Sequence, residues 1–194
     1  SALLFGLLYQ TTGEGHLPMT GMWGKNRIAP VPGIGIASED GAWIRRQIKS
    51  RGRVVLDLSM TNLDGPATSA NVVGEISGRS NETVLVVAHL DSWDLGQGSV
   101  DNGTGCAVVL EAARALAASG IRPEATIRFV LTMGEEMGLL GAEAYVEAHG
   151  GEMALCRAMI NCDMEGVPTG IGVMGREDSS PWFESLADDL GAFG

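Results

Sequence analysis

Cysteine is scarce in this chain, and no CxxC pair occurs among Cys106, Cys156 and Cys162. That excludes a zinc knuckle and a dense disulfide framework, and leaves three free or buried thiols as the reading. Basic residues are also in short supply. Thirteen Lys and Arg face 24 Asp and Glu, for a formal net charge of -11, which repels nucleic acid and anionic lipid over most of the surface. A polynucleotide partner is therefore not expected. Long apolar runs are missing too. The run at residues 2–9 is far too short to span a bilayer, and no Lys or Arg precedes it as in a signal peptide. Histidine is as scarce as cysteine, with three residues.

What is present is a globular composition, 45% hydrophobic against 19% charged, with no repeat or low-complexity tract. A short buried strand is expected at 2–9, an irregular Gly/Pro/Thr-rich loop at 11–32, and a brief strand at 34–36. Ser38 reads as the cap of an amphipathic helix that ends near Gly52, and residues 53–60 read as a strand. The Asn-Leu-Asp-Gly-Pro stretch within 61–69 has the composition of a connection and marks the expected domain boundary. Beyond it, strands at 71–76, 84–88, 125–132, 158–162 and 171–174 alternate with helices at 103–119, 139–149 and 181–190. This order predicts a three-layer α/β domain with a mixed, largely parallel sheet. The chain starts without Met and stops soon after the last helix, so both ends are expected to be cuts through a longer protein.

Four clusters just beyond strands carry chemistry. His89-Leu90-Asp91 follows the run at 84–88, where ligands of open α/β sheets collect. An imidazole can bind a metal through one nitrogen while a nearby carboxylate accepts a hydrogen bond from the other. Taken alone, His89 reads equally well as a structural histidine. The Gly-rich stretch 96–105, which contains Asp101, lacks the Lys-Ser or Lys-Thr of a P-loop and does not fit GxGxxG; Asp101 by itself could be a helix cap. Glu135 and Glu136 close the strand at 125–132, and adjacent carboxylates at a sheet edge are costly unless a cation compensates them. One could bind metal while the other takes a proton from water, although a surface Glu pair is the plainer reading. Asp163 follows the strand at 158–162 and alone would be a turn residue. Their shared position at strand ends outweighs these separate alternatives.

The stretch from His89 to Gly105, with Glu135-Glu136, Asp163 and Pro168-Thr169-Gly170, resembles the co-catalytic two-zinc aminopeptidase family, in the branch of plasma glutamate carboxypeptidase and its bacterial relatives. Residues Pro18 to Gly21, Val31 to Ile36 and Ser38 to Asp40 are similar to the protease-associated insertion domain of such enzymes. The resemblance implies that residues 1–68 are the C-terminal part of that insertion and residues 69–194 the N-terminal part of the catalytic domain. It further implies two zincs: Asp101 bridges them, His89 and Asp163 complete one site, Glu136 serves the other, Glu135 is the general base, and Asp91 orients His89. The Asp101–Asn102 peptide is expected to be cis. The family's last zinc ligand is a His further downstream, absent from this chain; His16 and His149 match no ligand. The implied function is that of an exopeptidase, aminopeptidase or dipeptidase, acting on short peptides with a free N-terminus through a water shared by the metals. The alternatives are a non-catalytic homologue of the transferrin-receptor kind and a one-zinc glutaminyl cyclase. A secreted, periplasmic or lysosomal setting follows from the resemblance, which also allows a homodimer. The 194-residue chain by itself is expected to hold about one zinc tightly and to be weakly active or inactive.

Overall fold

The computed structural model describes residues 7–10, 31–61, 63, 65–93, 96–163, 181 and 184–186. Strand β1 (Leu7–Gln10) pairs in parallel with β2 (Gly33–Ile36). Helix α1 (Ser38–Arg51) follows directly, with Glu39 and Asp40 in its first turn and Lys49 and Arg51 in its last, each opposite in sign to the nearby helix pole. Ala37 takes the cap position with extended backbone, so the expected Ser cap is one residue out: Ser38 is already helical. Gly52, at φ 79, ends the helix and donates its N–H to Ile48 O at 2.8 Å.

The strand expected at 53–60 does not form. Val54, Val55, Leu56 and Leu58 have the β-rich composition of one, but no described strand pairs with them and Val55 is 81% exposed. A strand is completed by its ladder partner, and composition alone leaves its backbone groups to water. Residues 65–71 adopt no helix or strand either.

Four strands then form a sheet in the order β3-β5-β4-β6: β3 (Val72–Ile76), β4 (Thr83–His89), β5 (Thr126–Thr132) and β6 (Cys156–Asn161). The β4–β5 and β4–β6 pairs are parallel, while β3 runs antiparallel to β5. The sheet is thus mixed and largely parallel in an α/β fold. Helix α2 (Gly105–Ser119) joins β4 to β5, and α3 (Leu140–Ala148) joins β5 to β6.

The period-two alternation of the strands sorts the core onto the two faces. Val86 and Ala88 of β4 and Phe129 and Leu131 of β5 pack with Cys106, Val109, Ala112, Ala113 and Leu116 of α2. Leu85, Val87 and Val130 point the other way and pack with Tyr145 of α3, Met153 and Cys156. Arg128 on that second face donates to Tyr145 Oη at 3.0 Å and bridges Glu75 and Glu152, tying β3, β5 and the end of α3 together. None of the three cysteines forms a disulfide, and Cys106 and Cys162 are buried.

The chain divides into two units, Ser1–Met164 and Glu165–Gly194. Residues 181 and 184–186 of the second unit are helical, as expected for 181–190, whereas the strand expected at 171–174 lies outside the described residues. Among the described residues no helix is long and apolar enough to cross a membrane.

Candidate metal centre

The parallel register of β4 and β5 sets His89 beside Thr132, so both strands end at the same level. The loops leaving β4, β5 and β6 therefore meet there. His89, only 3% exposed, brings Nε2 to 3.0 Å from Asp101 Oδ1 and 3.4 Å from Asp163 Oδ1. One donor atom each from His89, Asp101 and Glu136 lies within 4.8 Å of the others, a spread that a single cation can span.

The segments that carry these side chains are held by hydrogen bonds. His89 Nδ1 lies 2.9 Å from the main-chain oxygen of Asp91, which leaves Nε2 free to ligate. The Asp91 carboxylate is further from that nitrogen, at 3.7 Å. Its two oxygens accept the main-chain N–H groups of Glu135 at 3.0 Å and Glu136 at 3.1 Å. Asp91 thus reaches the imidazole mainly through its carbonyl, and its carboxylate holds the paired glutamates. The Asp101–Asn102 peptide is cis. Asn102, 2% exposed, donates from Nδ2 to Cys162 O at 2.9 Å and accepts Gly105 N–H on Oδ1 at 3.1 Å. This one side chain locks the loop of Asp101 both to the start of α2 and to the residue before Asp163. A Cβ at Gly105 would collide with Asn102 Oδ1 and Cys162 O, so only glycine fits there. Cys106 donates its thiol to His89 O at 3.1 Å; burial, then Asp91, pushes that thiol up.

The electrostatics are those of an uncompensated anionic site. Burial opposes a charged His89, but Asp163, the Asp91 carbonyl, Glu135 and Asp101 outweigh it and raise the imidazole above its ordinary value. Burial first, then Asp101, Glu135 and Asp91, against His89, pushes Glu136 above the usual carboxylate range. Oε1 of Glu136 is buried with no hydrogen-bond partner among the described residues. A carboxylate with an orphaned buried oxygen, grouped with an imidazole nitrogen and a second carboxylate, is a donor set that a zinc ion satisfies.

His149 lies apart from this centre, at the end of α3, with Nδ1 3.2 Å from Glu152 and its ring 4.4 Å from that of Tyr145. His16 is outside the described residues. Asn102 and Asn71 were not singled out in the sequence as site residues; the Asn-Gly-Thr-Gly run after Asp101 was the available signal for the first.

The family model for Peptidase family M28 matches residues 71–191. Carboxypeptidase Q of Xenopus laevis is 38% identical over 138 residues, a match covering 69% of this chain and 29% of the relative. The crystal structure of a Peptidase M28 precursor from Shewanella amazonensis SB2B aligns with TM-score 0.74 and 27% identity, covering 96% of this chain and 44% of that one. The zinc aminopeptidase BSAP of Bacillus subtilis aligns with TM-score 0.61 and 29% identity, covering 82% and 38% respectively. The chain thus spans less than half the length of each of these relatives.

Proposed function

The chain belongs to peptidase family M28, and on that premise we propose that it carries the metal-binding part of a zinc-dependent exopeptidase, an aminopeptidase or dipeptidase for short peptides with a free N-terminus. The observation that carries this reading is the convergence of His89, Asp101 and Glu136, with Glu136 Oε1 buried and unpartnered among the described residues. In the two-zinc form of the proposal, His89, Asp101 and Asp163 would hold one ion, and Glu136 would serve the other. Residues 1–68 would then be part of an insertion domain, and residues 69–194 part of a three-layer catalytic domain.

When bound, zinc supplies a Lewis acid that polarises the peptide carbonyl and lets water attack near neutral pH. Glu135 takes the proton of the attacking water and returns it to the leaving amine. Asp91 keeps Glu135 and Glu136 in their separate roles by fixing both main-chain amides. The preference for a free N-terminus rests on the relative named aminopeptidase.

The test, made on the full-length protein, is turnover of Leu- and Ser-containing dipeptides with zinc present, comparing the native residue with Glu135→Gln. The amide keeps the shape but cannot accept the proton, so zinc should stay bound while turnover falls by about 10²–10⁴-fold. Unchanged turnover in the variant would remove Glu135 from the role. Cyclisation of N-terminal Gln in place of hydrolysis would replace the exopeptidase reading.

A further inference from the structure

The loop that carries Glu135 and Glu136 is gripped at both ends by a side chain from outside the metal centre. Asn71 immediately precedes β3, which runs antiparallel to β5 with Val72 opposite Leu131. One more step along that ladder brings Asn71 level with the exit of β5. A parallel strand at this edge would have put its first residue at the far end of the sheet. The Asn71 side chain is bidentate there: Oδ1 accepts the N–H of Met133 at 3.0 Å, and Nδ2 donates to Gly141 O at 2.8 Å. Met133 and Gly141 are the two feet of the loop, and they are also joined directly by Gly141 N–H to Met133 O at 2.8 Å. The fit leaves no spare room, since a Cβ on Gly141 would collide with Met133 O and Asn71 Oδ1.

We propose that Asn71 is a positioning residue for the metal centre, a clasp that closes the 133–141 loop at its feet while Asp91 holds its tip through the Glu135 and Glu136 amides. This rests on the metal-site reading above. The chemistry selects an amide: one foot presents only a donor and the other only an acceptor, so a side chain with both, at the reach of asparagine, satisfies them together. Aspartate has the same shape but cannot donate to Gly141 O. Serine is too short to span both. The residue touches no ligand atom and acts through the backbone that sets where the Glu136 carboxylate sits.

The experiment uses the full chain and two readouts: Zn²⁺ affinity by chelator competition, and amide hydrogen exchange of residues 133–141 in the metal-free protein. Asn71→Ala is expected to weaken Zn²⁺ binding by about 10–100-fold, the usual consequence of losing a group that supports a ligand, and to speed exchange within 133–141 specifically. Asn71→Asp, which keeps the acceptor but sets a carboxylate oxygen against Gly141 O, serves where the alanine variant does not fold and should change both readouts in the same direction. Leu85→Ala, a cavity in the buried core on the α3 face, is the control and should leave Zn²⁺ affinity unchanged. Native Zn²⁺ affinity with native exchange in both Asn71 variants overturns the clasp, as does an equal loss of affinity in the Leu85 control. Failure of the unaltered chain to bind Zn²⁺ instead overturns the metal reading, and exchange alone then decides the clasp.

Discussion

Replacing Glu136 by glutamine should stabilise the metal-free chain and at the same time loosen its hold on zinc. The buried Oε1 atom has no partner among the described residues, and burial together with Asp101, Glu135 and Asp91 raises the carboxyl above its ordinary value of 4.5. A raised folded-state pKa means that the native state binds this proton more tightly than the unfolded chain does. The associated stability is full at acid pH and is lost as the pH climbs from about 4.5 through the raised value. At neutral pH the native residue carries the whole cost, and glutamine carries no charge to be penalised. An unpaired buried polar atom costs about 1–3 kcal/mol; the amide keeps part of that, so a gain near 1 kcal/mol is expected. For a chain of this size that is about 2–4 °C in Tm. Near pH 4 the two proteins should melt together. Zinc reverses the order, because ligand at a hundredfold excess over Kd adds about 2.7 kcal/mol to whichever protein binds it. Scanning calorimetry between pH 4 and 8, with chelator and with zinc, reads all of this. A variant that melts below the native chain in chelator at pH 7, or equal zinc shifts for both, would refute the reasoning.

Asp91→Asn keeps the shape but turns an amino group toward a main-chain N–H, so one charge-assisted bond, worth about 1.5–3 kcal/mol, is lost; Tm should fall and exchange at Glu135 and Glu136 should quicken, and an unchanged Tm would contradict the tether. Asn102→Ala strands Gly105 N–H and Cys162 O, at about 1–3 kcal/mol for each group, and chemical denaturation should register a loss larger than that of Asp91→Asn. Leu139 sits at φ 63 with half of its surface exposed, so Leu139→Gly relieves about 1–2 kcal/mol of left-handed strain against about 0.5–1 kcal/mol of added chain entropy. Stability should stay level or rise, whereas the β-branched Leu139→Ile should lose stability; the opposite order in urea melts would show that the loop does not hold this conformation.

Much of the stretch from residue 71 to 163 was legible because its elements report themselves locally. Val84 to Ala88 and Ile127 to Leu131 are β-rich runs buried on both sides, and Gly105 to Ser119 is an Ala-rich helix closed by glycine, so strand ends and helix starts fall within a few residues of their expected positions. His89, Asp101 and Glu136 could be picked out because each follows such a run, and the structure brings those three together. The parts that depend on pairing were not legible. The segment at 53–60 has strand composition, but a strand needs a neighbour. The Asp91 carboxylate was matched to its sequence neighbour His89, yet it spends its hydrogen bonds 44 and 45 residues away, a contact created only by the parallel pairing of β4 and β5. Asn71 reads as an ordinary residue before a strand, and its reach to Met133 and Gly141 exists only because β3 is antiparallel.

The central claim is that His89, Asp101 and Glu136 are metal ligands, and X-ray absorption at the zinc edge on the metal-loaded chain tests it most directly. The account predicts a first shell of nitrogen and oxygen at about 2.0–2.2 Å with imidazole scattering from a single histidine. Imidazole scattering should vanish in His89→Ala. Sulfur at about 2.3 Å, which would mean that cysteine thiols take the metal, or a shell unchanged by His89→Ala, would contradict it.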